Sequence, residues 1–143
     1  MSVADPWVAW QQDVIEQLRS LDDRGFVNTW GPSIEVEGRG LLGRLQGRRP
    51  WAPGVNVLRI ADHFLVVSCT PSRHEPQWLD NARARLRGTG WTPQPEHVEP
   101  SDELVRYEPV ARPDSVAALA ARTYPLLRVA TPDLVATEVV PRG

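Results

Sequence analysis

The sequence contains no lysine, because all 16 of its basic residues are arginine, and these stand against 18 acidic residues. The formal net charge of −2 excludes a global electrostatic attraction to nucleic acid or to an anionic membrane, so any such binding has to be local. We attribute the missing lysine to a GC-rich coding genome, although arginine forks do suit carboxylate and phosphate recognition.

Cysteine is almost absent as well, since Cys69 is the single one in 143 residues. This excludes an intramolecular disulfide framework and a cysteine cluster for structural zinc, and a reducing compartment is the simplest inference. The first residues, M-S-V-A-D-P-W, lack the pattern of a secretory signal. No apolar run approaches the roughly 20 residues that a membrane-spanning helix needs. The sequence therefore predicts a cytoplasmic protein with no membrane association.

The three histidines, His63, His74 and His97, do not show the H-x-x-x-H or H-x-H spacing that places two ligands on one face. A metal site would need convergence through the fold, and solvated loop histidines are the simpler interpretation of His63 and His97. The segment G-R-G-L-L-G-R at 38–44 lacks both the dinucleotide fingerprint and a P-loop lysine. The sequence predicts no metal and no cofactor.

Two weak patterns could indicate catalysis. Cys69 and His74 are five residues apart, which suggests a Cys–His pair, but the end of a buried strand is a common place for an inert cysteine. Glu35 and Glu37 would share one face of a strand, where they could act in acid–base chemistry or simply face solvent. We predict that the protein is not an enzyme, with these residues as the alternative.

Helix signals occur in three places. Asp5 is a plausible N-cap with Pro6 at the first helical position, and Gly25 offers a left-handed stop. A second helix starts at Pro76 and is stopped by the glycines and proline of 88–93. A third begins near 114–115, and Pro125 should end or kink it because a proline inside a helix lacks the backbone donor.

Strand signals lie between these helices. They are the alternating or β-branched runs 26–30, 34–36, 55–60, 64–69 and 104–110, and the third and fourth form a β-hairpin around A-D-H at 61–63. Strands, helix, strand and helix in this order favour a single α+β domain over residues 1–143. Residues 132–143 are predicted to be a loosely ordered tail, whose apolar residues Leu134, Val135, Val139 and Val140 could add a short helix or an edge strand.

The segment 38–53 is rich in arginine, glycine and proline and is predicted to be a loop, in which Leu41, Leu42 and Leu45 could form a crossing strand. Its positive charges could bind an acidic peptide or RNA, and Trp51, between two prolines, is predicted to be exposed as a contact anchor. The candidate partner-binding residues are Arg39, Arg44, Arg48, Arg49 and Trp51.

The order V-N-V-L-R-I, F-L-V-V-S-C, A-R-L-R-G-T-G-W-T-P, a strand and A-A-L-A-A-R-T-Y resembles actinobacterial domains grouped with type III secretion chaperones. The resemblance covers about residues 55–130, and Gly90, Trp91 and Pro93 carry its sharpest part. It implies a twisted antiparallel sheet with the N-terminal, middle and C-terminal helices mainly on one face, a homodimer, and partner binding without catalysis.

We therefore predict a non-catalytic, chaperone-like domain that holds or regulates a partner polypeptide. An extended segment would be received on apolar helix and sheet surface, by strand addition at an open edge, with arginines at the rim selecting acidic sequence. The alternative is a ligand or nucleic-acid sensor that uses the arginines of 38–51.

Overall fold

A computed structural model describes residues 5–93 and 103–141, and these form an α+β domain. The helices are α1 (Pro6–Arg19), α2 (Gly40–Leu45), α3 (Leu79–Arg87) and α4 (Pro113–Leu126), with a 3-10 turn at Pro132–Leu134. The strands are β1 (Phe26–Trp30), β2 (Ile34–Glu37), β3 (Arg48–Trp51), β4 (Gly54–Ile60), β5 (His63–Ser68), β6 (Thr92–Pro93), β7 (Leu104–Pro109) and β8 (Ala136–Val140). The predicted fold class is confirmed.

The strands form two antiparallel sheets. The larger sheet has the order β6-β7-β5-β4-β1-β8, and β2 pairs with β3 in a separate two-stranded sheet. The β4–β5 hairpin is confirmed, with Ala61 and Asp62 in its turn and Val57 opposite Val66. The consecutive strands β1 and β2 enter different sheets and do not pair with each other.

Capping and proline positions explain the helix limits. The Asp5 carboxylate accepts a hydrogen bond of 2.9 Å from the Trp7 backbone N–H, so the predicted N-cap is confirmed. This helix ends at Arg19, well before Gly25. Helix α4 contains Pro125 and ends one residue after it, at Leu126, close to where the proline was predicted to end the helix.

The core lies between α1, α3, α4 and one face of the larger sheet. On that face Val27, Val57 and Val66 are aligned across β1, β4 and β5, and all three are buried. The helices contribute the apolar stripe that their periodicity predicted, including Leu18 and Leu86, both fully buried. Within residues 5–93 and 103–141, no helix is long and apolar enough to cross a membrane.

Tyr124 joins α4 to the centre of the sheet. Its buried hydroxyl accepts from the Val55 backbone N–H at 3.2 Å and shares a hydrogen bond with the Thr29 hydroxyl, which donates to the Val55 carbonyl at 2.7 Å. Burial raises the pKa of Tyr124 to about 12, because the site disfavours the charged phenolate. The ring stacks on Trp7, with centroids 6.0 Å apart.

The structure has regular elements in two segments that the sequence described as a loop and as a loosely ordered tail with a possible short helix or edge strand. Residues 38–53 are not a loop, because they contain α2 and β3, and the leucines that were assigned to a strand lie on the helix. The tail from 132 onward contains the 3-10 turn and β8, which pairs with β1 along all five residues. His97, predicted to be a solvated loop histidine, lies outside the described residues.

Candidate functional site

Residues 34–51 form an arm, composed of β2, α2 and β3. The two strands pair antiparallel, so that Ile34 lies opposite Trp51 and Glu37 opposite Arg48. The six-residue helix α2 connects them at the far end of this ladder. The arm therefore places the arginine-rich segment beside the two glutamates of β2.

A close glycine contact sets the orientation of α2. A Cβ atom on Gly43 would come within 2.6 Å of the Gly38 backbone, a separation that no side chain tolerates. Gly43 is therefore the buried position of the helix, and the three leucines point outward, with Leu41 77%, Leu42 57% and Leu45 74% exposed. Three such leucines on one short helix form an apolar surface that solvent would not favour.

We expect Gly43→Ala to loosen the arm. Alanine stabilises a helix by about 1 kcal/mol relative to glycine, but the backbone shift that relieves the clash costs about 1–3 kcal/mol. The net effect is therefore expected to destabilise the arm. Amide exchange over 38–47 should become up to about tenfold faster, while the larger sheet is unaffected. Gln46→Ala, at an exposed position of the same segment, is the control and should leave exchange unchanged; equal exchange in both variants would contradict the glycine contact.

Some of the arginines predicted as a binding site have side-chain partners within the chain, and others have none among the described residues. Arg39 forms ion pairs with Asp80 at 3.4 Å and with Glu75 at 3.9 Å, and Arg48 donates to the Glu35 carbonyl at 3.4 Å. Arg44 and Arg49 are exposed, and their side chains make no hydrogen bond or ion pair with the residues that the structure describes. The structure thus does not bring the four arginines together around one ligand position.

Trp51 is half-buried, which corrects the prediction that it is exposed. Its ring packs edge-on against Trp78, with centroids 5.7 Å apart, and contacts the edge of the core. Together with Ile34 and Leu127 it lines an apolar groove of about 180 Å³. Trp30, at the end of β1, is instead 40% exposed.

A buried ion pair holds the segment to which the arm is attached. The Arg83 guanidinium donates to both Glu75 carboxylate oxygens, at 2.9 and 2.7 Å, and to the Cys69 carbonyl at 3.2 Å. Both side chains are almost fully buried, at 3% and 6% exposed. Arg39 of the arm approaches the same carboxylate, and an imidazole nitrogen of His74 lies 3.2 Å from the Gly47 carbonyl. The pair therefore anchors the arm to α3.

The Cys69 and His74 side chains have separate partners. The Cys69 thiol accepts from the Ser68 hydroxyl at 3.6 Å, and burial raises its pKa, which opposes formation of the reactive thiolate. His74 is directed to the arm, and no hydrogen bond joins it to the thiol within the described part of the chain. The search of those same residues also finds no group of three or more side chains able to hold a metal ion.

The face of the larger sheet opposite the helices carries an apolar row. Its members lie directly opposite one another across five strands and are Val140, Phe26, Leu58, Leu65 and Tyr107. All five are partly or well exposed, Tyr107 at 57%, and none belongs to the core or to the residues packed against it. Val105, on the same face in the next row, is buried. We call this surface the open face.

Strand β8 forms one edge of the larger sheet. Among the described residues it pairs only with β1, so the backbone groups on its outer side face away from the sheet. Four of its five residues are exposed, and Glu138 is its single charge. Unpaired strand edges of this kind accept further strands unless charge, proline or a covering segment prevents it.

Comparisons of the chain with protein families, with curated proteins and with solved structures find no match. Function is therefore argued from the arm, the open face and the β8 edge alone.

Proposed function

We propose that this chain is a non-catalytic, chaperone-like domain that binds a partner polypeptide on the open face of its larger sheet. The apolar row across β8, β1, β4, β5 and β7 is the observation that carries this proposal. An apolar surface that crosses five strands and is separate from the core favours an interaction with apolar side chains. It has the form expected for receiving a segment of another chain.

The partner would add an extended strand at β8. Main-chain hydrogen bonds to the outer edge would supply affinity. Every second side chain of the added strand would lie on the open face, and the one opposite Val140 would extend the apolar row. Glu138 lies in the middle of β8, so a basic residue directly opposite it would be favoured and an acidic one disfavoured. The partner segment is therefore expected to carry an arginine or lysine two positions away from an apolar residue, both on the side that continues the open face.

Three further statements belong to the same proposal. The resemblance to chaperones of type III secretion fits a sheet with one helix-covered face, and it is the basis for proposing a homodimer. The single cysteine, reduced and buried, supports a cytoplasmic location. Light scattering across micromolar concentrations tests the dimer, since a constant monomer mass would contradict it.

The alternatives have less support from the geometry. A nucleic-acid sensor would use the arginines of the arm, but Glu35 and Glu37 lie exposed on the same arm and reduce its attraction for phosphate. An enzyme would need Cys69, His74 and the glutamates in one cleft. The thiol and the imidazole instead have different partners, and the glutamates belong to the exposed β2.

Capture of the partner by a tagged protein from the native cell lysate, at low and high salt, tests the proposal. Leu58→Thr with Leu65→Thr keeps β-propensity but removes the centre of the row, and Asn56→Thr on the same face is the matched control. Each leucine contact is worth about 1 kcal/mol, so retention of the partner should fall by about tenfold or more in the double variant only.

The salt dependence separates the alternatives. A partner protein that remains bound at high salt and is lost with the row variant would support an apolar interface. RNA, or a salt-labile mixture lost when Arg44 and Arg49 are replaced by alanine, would contradict it and favour the sensor. Thermal unfolding of each variant confirms that the fold is intact.

A further inference from the structure

The groove beside the arm combines apolar walls with a single cation. Ile34 and Trp51 lie directly opposite each other on one face of the β2–β3 ladder, and both line the groove. Trp78, at the start of α3, and Leu127, at the end of α4, line it from the helix layer, together with Arg128. The lining residues that the structure describes include no carboxylate. We call this site the arm groove.

Arg128 supplies the one charge of the arm groove. Its side chain is exposed, and its guanidinium lies over the Trp78 ring, with Cζ 4.4 Å from the ring centroid. Across residues 5–93 and 103–141 this side chain has neither an ion pair nor a hydrogen bond. A guanidinium presents a planar fork of donors that matches a carboxylate, and apolar surroundings strengthen the pair. The arm groove therefore offers an anion-binding group beside an apolar surface.

The backbone at Arg128 has a conformation that favours glycine. Its φ is +65°, and the residue directly follows the C-cap of α4, the position that glycine most often occupies after a helix. The turn is fixed by the Val129 N–H, which donates to the Tyr124 carbonyl at 2.9 Å. Local backbone preference therefore does not account for arginine at this position, whereas a binding role for its side chain does.

We infer that the arm groove binds a small aromatic monocarboxylate, with the ring in the corner formed by Trp51 and Trp78 and the carboxylate on Arg128. The two indoles are nearly perpendicular, with centroids 5.7 Å apart. A planar ring in this corner lies flat against one indole and edge-on to the other, the two arrangements that aromatic rings prefer. Because the guanidinium lies against Trp78 itself, only a short chain separates the ring from the carboxylate.

Size and charge favour such an acid over other occupants. The arm groove has a volume of about 180 Å³, which is below the roughly 300–1,000 Å³ of pockets that hold larger ligands. A phosphate monoester or a dicarboxylate would bring a second negative charge, for which the described lining provides no second cation. An amine would find no carboxylate among the same residues. One ring with one negative charge is the chemistry that the site complements.

Isothermal titration calorimetry of the full chain with 3-phenylpropionate tests the inference. A ligand of this size is expected to bind with a Kd of about 1 mM or tighter. Its uncharged amide, 3-phenylpropanamide, should bind about tenfold more weakly, because a hydrogen bond to a charged group is lost. The non-aromatic acid 3-cyclohexylpropionate should bind several-fold more weakly. Equal binding of either analogue, or no binding of 3-phenylpropionate up to about 10 mM, overturns the inference.

Variants at the mouth of the groove locate the site. Arg128→Gln should weaken binding about tenfold, and the matched control is Arg122→Gln, at another exposed arginine of α4, which should leave binding unchanged. Ile34→Glu should also weaken binding, because it places a negative charge at an exposed position of the groove wall. Arg122→Gln and Arg128→Gln that bind equally well would overturn the assignment.

Arg128→Gly separates binding from folding. Glycine suits the positive φ, so the midpoint of thermal unfolding should stay the same or rise while binding of 3-phenylpropionate is lost. A lower midpoint with binding retained would show a structural role for the side chain and overturn the inference.

Two further measurements distinguish this site from other binding. Tighter binding of the peptide acetyl-Gly-Gly-Phe than of 3-phenylpropionate would overturn the inference in favour of a polypeptide C-terminus. The row variant Leu58→Thr with Leu65→Thr should bind 3-phenylpropionate as the natural chain does, and loss of binding there would move the acid to the open face. The partner-capture test and this test therefore fail separately.

Discussion

Glu75→Gln is expected to lower the free energy of unfolding by about 3–5 kcal/mol, because it breaks a buried ion pair. The Arg83 guanidinium and the Glu75 carboxylate are both almost fully buried. The substitution leaves the guanidinium buried without the carboxylate that accepts two of its hydrogen bonds. The midpoint of thermal unfolding should fall by about 10 °C or more. Calorimetry or circular dichroism measures this directly.

Two comparisons make the Glu75 result specific. Asp114→Asn removes one partner of the exposed Arg112–Asp114 pair, whose atoms are 3.2 Å apart, and should change stability little. Glu75→Leu combined with Arg83→Met should recover much of the loss, because no uncompensated charge stays buried. A loss in Glu75→Gln no larger than in Asp114→Asn would contradict the anchoring role of the pair.

Tyr124→Phe is expected to cost about 1–3 kcal/mol at neutral pH. The substitution keeps the stacked ring but removes the hydroxyl that receives the Val55 N–H and pairs with Thr29, so buried polar groups lose a partner. Urea denaturation should show the lower midpoint with an unchanged slope. The matched control is Tyr107→Phe, since that ring is 57% exposed and lies outside the core.

Tyr124 is also expected to make the folded state less stable at alkaline pH. The pKa of Tyr124 is raised to about 12 in the folded chain, above its value near 10 when unfolded. The folded state therefore holds this proton more tightly, and its contribution is fully present below pH 10 and is lost as pH rises toward 12. The loss should amount to about 2–3 kcal/mol over that interval. Tyr124→Phe should remove this part of the pH dependence, and an unchanged slope would contradict it.

Short sequence patterns were sufficient to predict the elements whose hydrogen bonds form between residues close in sequence. Asp5 and Pro6 define the start of α1, and Gly88 ends α3, because caps and stops act within one turn. The β4–β5 hairpin followed from β-branched residues on both sides of a two-residue turn. These elements need no distant residue to be recognised.

The arm depends on distant contacts that the sequence did not predict, and the β8 edge strand was only one of two alternatives for its segment. Helix α2 packs closely through Gly43 against Gly38. The sequence of a glycine-rich segment does not reveal whether two of its glycines will be in contact. Strand β8 is defined by its pairing with β1, more than one hundred residues earlier, at positions where its own residues are largely exposed. The apolar row could have been suspected, since Leu58 and Leu65 break the alternation of a half-buried strand, but its continuity requires the register.

Hydrogen–deuterium exchange of the purified complex with its captured partner tests the central claim most directly. Binding by strand addition on the open face predicts new protection concentrated in β8, residues 136–140, because added main-chain hydrogen bonds would cover its outer edge. Leu58 and Leu65 lie two and three strands inside this edge, so their labelling by solvent radicals should fall only if the partner also covers the open face. Protection confined to the arm, with β8 exchanging as in the free chain, would contradict the claim and move the partner site to α2.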